Sequence, residues 1–286
     1  MEPTLLQILF LGLIQGAAEL LPVSSSAHVI VAEKLIGLDP TSPAMTFLLV
    51  MLHTGTMVAV IAYFWKAWKK TFFATTESLK RTVWNVGIAT LATLIVGLAL
   101  KILIEKVLMR GTSHQEIEDL FGHLPLIGAS LFTAGLLIIT AGLLRKSNGA
   151  HTLHLSSSFW IGVSQGFCLP FRGLSRSGTT ISTGLLLGIG KQQIEEFSFA
   201  LAVVITPPAI AKELLRLLKS HTESASPQHL LHLLGPGLFG MLGSFVAGLL
   251  ALRLLSSWLE KGHWAWFGYY CIAFSGVVFF LASRGY

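Results

Sequence analysis

Cysteine and charge are both scarce in this chain. The 286 residues include two cysteines, Cys168 and Cys271, and both fall inside apolar runs, which excludes a disulfide framework and a four-ligand zinc site. Both read as apolar filler. Charged residues make up only 12% of the chain, about half the share of an ordinary soluble domain, and that excludes a soluble globular protein. The formal net charge is +6 and the isoelectric point near 9.4. The basic residues nevertheless form no stripe with interleaved aromatics, so nucleic acid is not an expected partner. Membrane topology and anionic lipid account for the charge instead. The first residues also lack the basic segment of a cleavable signal peptide.

Apolar residues, by contrast, make up 53% of the chain, and mean hydropathy is +0.70. Residues 47–65, 82–100, 124–144, 230–252 and 264–283 form charge-free runs close to the roughly 20 residues needed to cross a bilayer as a helix. Residues 197–212 form a sixth span, in which Pro207 and Pro208 are expected to kink the helix or start its irregular end. Four shorter apolar stretches, 3–18, 20–32, 158–171 and 177–190, come as two adjacent pairs broken by polar residues. Irregular polar backbone does not belong in bare lipid, so each pair is expected to enter and leave on one side.

An offset of 150 superposes Gly12 on Gly162, Gln15 on Gln165, Gly16 on Gly166, Ser25 on Ser175 and Phe47 on Phe197. Each half, 1–150 and 151–286, reads as a broken pair followed by three spans. A re-entrant pair and three crossings end on the opposite side, so the second half is expected to be inverted. The expected fold is therefore a single all-α polytopic membrane domain with an inverted repeat, about six transmembrane helices and two re-entrant pairs, 3–32 and 158–190. Residues 66–81 carry five basic residues and one acidic, and Arg145 and Lys146 follow the third span, so both loops are expected in the cytoplasm. The 101–123 loop, with Glu105, Glu116, Glu118 and Asp119, then lies outside. Lys212, Arg216 and Lys219 in the later outer loop fit that rule less well. Both termini and the mouth of the first pair face outward.

Ionisable residues within membrane segments are costly, and they mark functional sites by default. Glu19, His28, Arg172 and Arg176 all fall in the two broken tips, with Ser24, Ser25, Ser26, Ser175, Ser177, Thr179 and Thr180. Two guanidinium groups, many hydroxyls and half-helix N-termini suit a phosphate-type anion, and Gly173 and Gly178 let backbone approach it closely. Glu19, with Gln15 one turn before it, offers the hard oxygens that Mg²⁺ or Ca²⁺ prefers. Plainer readings stand beside these: Glu19 neutralising Arg176, His28 as a satisfied core residue, and serines bonding back to the preceding turn. His53 and Thr54 read as mid-span residues bonding backbone. Trp65, Trp68, Trp84, Trp264 and Trp266 read as interfacial anchors, and His151, His154, His221, His229 and His232 as loop or span-end residues.

The stretches QGAAELLPVSSSAH (residues 15–28) and RGLSRSGTT (residues 172–180) resemble the two signature motifs of the bacitracin-resistance family of undecaprenyl-diphosphate phosphatases. The first is similar to (E/Q)xxxE followed by PVSSxxH, and the second to PGxSRSGxT. The likeness runs over essentially the whole chain and includes EFSF at residues 196–199. It implies a multi-pass enzyme of the bacterial inner membrane that removes the terminal phosphate of undecaprenyl diphosphate, regenerates the lipid carrier for cell-wall synthesis and gives bacitracin resistance. It implies too a divalent cation, Mg²⁺ or Ca²⁺, and a site open to the periplasm. Two departures stand out. Gln15 occupies the first acidic position and cannot supply a second carboxylate, and Arg172 replaces the motif's proline.

Under that reading the expected catalytic residues are Glu19, Ser25, His28 and Arg176. The diphosphate is expected to meet Gln15, Ser24, Ser26, Arg172, Ser175, Ser177, Gly178 and Thr180, with the cation on Glu19 and Gln15. Two attacking groups remain open: Ser25 activated by His28, or water activated by His28 or Glu19. The rival reading is a transporter or flippase of polyprenyl phosphate, because inverted repeats with broken helices are common in transporters. A non-catalytic scaffold fits the buried charges least. The sequence leaves open a homodimer and the place of the isoprenoid tail.

Overall fold

The computed structural model describes residues 3–39, 42–108, 123–144, 152–219 and 227–285. Glu116, Glu118, Asp119, Arg145, Lys146, His151 and His221 lie outside the described residues, as do the side chains of Arg216, Lys219 and His229. Ten α-helices account for most of the described chain: α1 (Leu5–Leu20), α2 (Ser25–Leu35), α3 (Pro43–Thr71), α4 (Thr76–Leu103), α5 (Leu124–Leu144), α6 (Leu155–Cys168), α7 (Arg176–Leu186), α8 (Lys191–Lys219), α9 (Pro227–Glu260) and α10 (Trp264–Ser283). Six of them, α3, α4, α5, α8, α9 and α10, are long and apolar enough to cross a membrane. The chain is a multi-pass, all-helical membrane protein.

The spans are longer than their charge-free cores. Helix α3 starts from a Ser42 cap with Pro43 in its first turn, and carries Lys69 and Lys70 in its last. Such long cationic side chains extend toward the headgroups while their stems stay apolar. Helix α8 continues through Pro207 and Pro208 without the expected irregular end. Both prolines sit on the exposed face, where the rings meet no packed neighbour.

The breaks between the short helices have a local cause. Helix α1 ends at Leu21 in extended backbone just before Pro22, whose ring disfavours helical geometry in the residue ahead of it. Helix α2 then begins at Ser24 and α7 at Ser175, each capping with a side-chain oxygen that accepts an N–H three residues on. Ser24, with φ of 67°, and Ser175, with φ of 50°, are the non-glycine residues at positive φ among those described. Such backbone costs roughly 1–3 kcal/mol and persists where the surroundings enforce it. The matched caps pair Ser24 with Ser175, one residue off the offset of 150, because the second break is longer and folds a 3-10 turn, Arg172–Leu174, before its helix.

Close helix contacts then set the packing, and small residues allow them. A Cβ on Gly12 would lie 2.8 Å from the Gly240 carbonyl oxygen, and one on Gly16 would run into Ser244, so α1 packs parallel to α9. Gly162 and Gly166 bring α6 in the same way onto Ala89, Thr93 and Val96 of α4, again parallel. Helices α5 and α10 are antiparallel, with Gly128 against Phe279 and Gly142 against Ala265. Helix α3 also meets α8 antiparallel: Thr71 Oγ1 donates to Glu196 near the start of α8, while Thr56 lies beside Thr206 far along it. The first, third, fourth and fifth helices of each half thus make contacts that match those of their counterparts.

Both tips end in the buried core formed by Leu20, Val23, Ala27, Ile127, Leu131, Ile138, Ile181 and Phe197. Two tryptophans depart from the interfacial reading. Trp264 is fully buried, its Nε1–H donating to Ser182 Oγ at 3.0 Å, and Trp68 Nε1–H donates to the Glu196 carbonyl. Each indole N–H found a partner inside the bundle, which removes the reason to seek the interface. Trp65, Trp84 and Trp266 are exposed.

Candidate active site

Glu19 stands in the last turn of α1, where its carboxylate gathers groups from both tips. Oε2 accepts from Ser25 Oγ at 2.5 Å and from Gln15 Nε2 at 3.3 Å. Oε1 accepts from Arg176 Nη2 at 3.3 Å. Ser25 is the first residue of α2 and Arg176 the first of α7, so the strained caps before them aim both side chains at one carboxylate. The other terminal nitrogen of Arg176, Nη1, is buried and has no hydrogen-bond partner among the described residues. A buried guanidinium N–H left unpaired is expensive, and an incoming anionic oxygen would satisfy it.

The tips are also stitched to each other. Ser24 Oγ donates to the Arg172 carbonyl at 2.8 Å, and Ser177 Oγ donates to the Leu21 carbonyl at 3.4 Å. Thr180 Oγ1 bonds the Arg176 carbonyl at 2.8 Å and Ser198 Oγ, in the EFSF stretch, at 2.6 Å. The Gly178 N–H is spent on the Ser175 cap, and a Cβ there would lie 2.9 Å from Ile138 and 3.3 Å from Pro22. Gly178 therefore serves the close approach of the two tips. Ser26 is half-buried beside them. A recess beside Glu19 and Arg176 is walled by Thr56, Met57 and Val60 of α3 and by Ala202, Val203 and Thr206 of α8.

His28 and His53 exchange the places that the sequence suggests. His28 Nδ1 lies 2.8 Å from the Ser24 carbonyl, so it carries the proton and donates, and Nε2 accepts from Tyr270 Oη at 2.7 Å. Its ring stacks on Phe274 with centroids 4.0 Å apart. Nδ1 is committed to the Ser24 cap of its own helix and Nε2 to Tyr270 of α10, and Ser25 is bonded to Glu19 instead. His53 does bond backbone as expected, Nδ1 to the Leu49 carbonyl at 2.8 Å. Its Nε2, however, lies 3.9 Å from Glu19 Oε2. The missed signal was its place mid-span, where an ionisable side chain carries the same functional weight as Glu19. Thr54 simply returns its hydroxyl to the Val50 carbonyl.

Gln165, the counterpart of Gln15, bonds Thr93 Oγ1 at 2.9 Å and meets no carboxylate. Among the described residues the Gln15–Glu19 pairing is therefore not repeated at Gln165.

A family model described as bacitracin resistance protein BacA matches residues 8–277. The chain belongs to that family. Undecaprenyl-diphosphatase 2 of Acinetobacter baylyi is 56% identical over 280 residues, covering 97% of this chain and 98% of the relative. The undecaprenyl-diphosphatase of Desulfosudis oleivorans is 34% identical, covering 99% of this chain and all of its own length, and that of Bacteroides fragilis is 32% identical, covering 97% and 98%. Family membership thus extends across both halves, and the residues around Glu19 and Arg176 lie within the matched region.

Proposed function

We propose that this chain hydrolyses undecaprenyl diphosphate to undecaprenyl phosphate and inorganic phosphate. The observation that carries the reading is the buried, unpaired Nη1 of Arg176 beside a serine held by a carboxylate. The names of the relatives support it. Polyprenyl phosphate is a good leaving group, so the main need is to hold and neutralise a strongly anionic headgroup. Arg176 binds oxygens of the terminal phosphoryl group. Ser25 Oγ passes its proton to Glu19 Oε2 and attacks that phosphorus; the bond to the bridging oxygen breaks, and its electrons leave with polyprenyl phosphate. Glu19 gives that proton up with the departing product; water then attacks the Ser25-bound phosphorus, passing a proton to Glu19, which returns it to Ser25 Oγ as phosphate leaves. The 2.5 Å contact favours Glu19 over His28 as the base. Ser24, Arg172 and Ser177 tie the tips together, and with Gln15, Ser26, Ser175, Gly178 and Thr180 they surround the headgroup.

The donors near Glu19 suit a hard cation: a carboxylate, the Ser25 hydroxyl and the Gln15 amide. No group of three or more His, Cys, Asp and Glu occurs among the described residues, which fits an ion such as Mg²⁺ that takes much of its coordination from phosphate oxygens. Bound there, it would offset the charge of the diphosphate.

The site is proposed to open to the periplasm in the inner membrane, where the reaction returns the lipid carrier to cell-wall synthesis and gives bacitracin resistance. The matched contacts of the two halves, parallel for α1 with α9 and α6 with α4 and antiparallel for α3 with α8 and α5 with α10, support an inverted repeat whose short pairs are re-entrant. Phosphate release by purified protein in detergent, with and without Mg²⁺ or Ca²⁺, tests the activity. Release that disappears in Arg176→Ala is expected. Its absence from folded wild-type protein would favour a polyprenyl-phosphate flippase, which needs two compartments and performs no hydrolysis.

A further inference from the structure

His53 lies beside the reaction centre, and the proposed chemistry leaves it unused. Its ring orientation is fixed, because a carbonyl only accepts and Nδ1 must therefore donate to Leu49 O at 2.8 Å. In the neutral ring this leaves a lone pair on Nε2, 3.9 Å from Glu19 Oε2. That distance is too long for a hydrogen bond from an imidazolium. Two neighbouring ligand atoms on one octahedral ion at about 2.1 Å each lie about 3.0 Å apart, so a shift of about 1 Å of the His53 ring toward Glu19 would bring both atoms onto one ion. A histidine that gives its other N–H to a backbone carbonyl is moreover the usual arrangement of a metal-bound imidazole. The His53 side chain is 36% exposed and that of Glu19 17%, so neither is sealed in the core. The carboxylate divides its faces: Arg176 holds Oε1, while Ser25, Gln15 and His53 surround Oε2.

We propose that His53 Nε2 and Glu19 Oε2 together ligate the divalent cation, so that a nitrogen completes a site in which Gln15 brings no charge. The inference rests on the phosphatase reading of the same site. It makes the site receptive to transition-metal ions that accept imidazole as well as to Mg²⁺, and Mn²⁺, which shares the oxygen preference of Mg²⁺, serves as the paramagnetic probe.

The experiment is pulsed electron paramagnetic resonance of Mn²⁺ added to the full-length protein in detergent, read for coupling to a histidine nitrogen. Wild-type protein should show that coupling, and its frequencies should change when histidine is labelled with ¹⁵N. His53→Gln should abolish the coupling and weaken Mn²⁺ binding by at least about tenfold, whereas His28→Gln should keep it. Absence of nitrogen coupling in the wild type, or its survival in His53→Gln, would overturn the proposal. If His53→Gln fails to fold, loss of the coupling in His28→Gln, with ¹⁵N-sensitive coupling in the wild type, overturns it equally. Phosphate release in Mg²⁺ from the same wild-type preparation separates the two readings. Release without nitrogen coupling rejects His53 as a ligand and leaves the phosphatase standing; no release rejects the phosphatase itself.

Discussion

Ser25, Glu19 and Arg176 act on one another, so their substitutions should not add. In the proposed reaction Ser25→Ala removes the attacking oxygen and Glu19→Gln the group that accepts its proton, and each is expected to lower phosphate release by roughly 10³-fold or more. The double variant should be little worse than either alone, since groups that work as a unit are lost together. Steady-state rates for the three proteins check this, and a fully additive loss would separate Ser25 from Glu19. His28 gives a contrasting expectation. Because its Nε2 accepts from Tyr270 Oη, Tyr270→Phe should cost about 0.5–1.5 kcal/mol of stability in a thermal melt and lower turnover only modestly. Glu19, Ser25 and Arg176 stood out in the sequence because polar and ionisable groups interrupt apolar runs there. The exchange of His28 for His53 did not, because it depends on which side of α2 faces α10 and on where α3 passes α1, neither of which periodicity in an apolar helix encodes.

At the scale of helices, the two short pairs were legible as breaks, since Pro22 and the serine runs leave no continuous apolar length to span a bilayer. Their exact correspondence was not. Identities at an offset of 150 align Ser25 with Ser175, whereas the matched caps align Ser24 with Ser175, and only backbone geometry exposes the added turn Arg172–Leu174. The glycines at that offset were legible as a repeat, and the structure gives their physical purpose. Gly16 faces backbone and Cβ atoms of Ser244 and Ala247, and Gly166 faces Val96 and the Thr93 carbonyl. Gly16→Val and Gly166→Val should each force α1 from α9 or α6 from α4, at a cost of roughly 1–3 kcal/mol. Lower melting temperatures in detergent are the readout. Gly276→Ala, whose Cβ would meet nothing within 4 Å, serves as the control and should be nearly silent. Equal melting of all three proteins would mean that the helices do not approach as closely as these contacts require.

For the molecule as a whole, the direction of each helix ties one loop to another. Helices α3 and α9 run parallel, with Gly55 against Met241 and Tyr63 Oη bonded to Ser256 Oγ at 3.0 Å. Their C-terminal ends, Thr71 and Glu260, therefore lie on one side, and the start of α8 joins them there through the Thr71–Glu196 and Lys191–Glu260 bonds. Helix α1 is parallel to α9, so its first turn lies toward the opposite side. Lys66, Lys69, Lys70, Lys80 and Arg81 are exposed around the α3–α4 turn, and from that basic excess the turn is expected to be cytoplasmic. With both native cysteines replaced by alanine, single cysteines at Thr75 and Lys261 should be blocked by a membrane-impermeant maleimide only from the cytoplasmic face, and one at Thr4 only from the periplasmic face. All three positions are exposed, so a failure to label cannot be laid to burial. Labelling of Thr75 and Lys261 from opposite faces would contradict the parallel course of α3 and α9. Labelling of all three from the cytoplasmic face would instead contradict the proposed entry of the first short pair from the periplasm, and with it the side from which the diphosphate is proposed to reach Arg176.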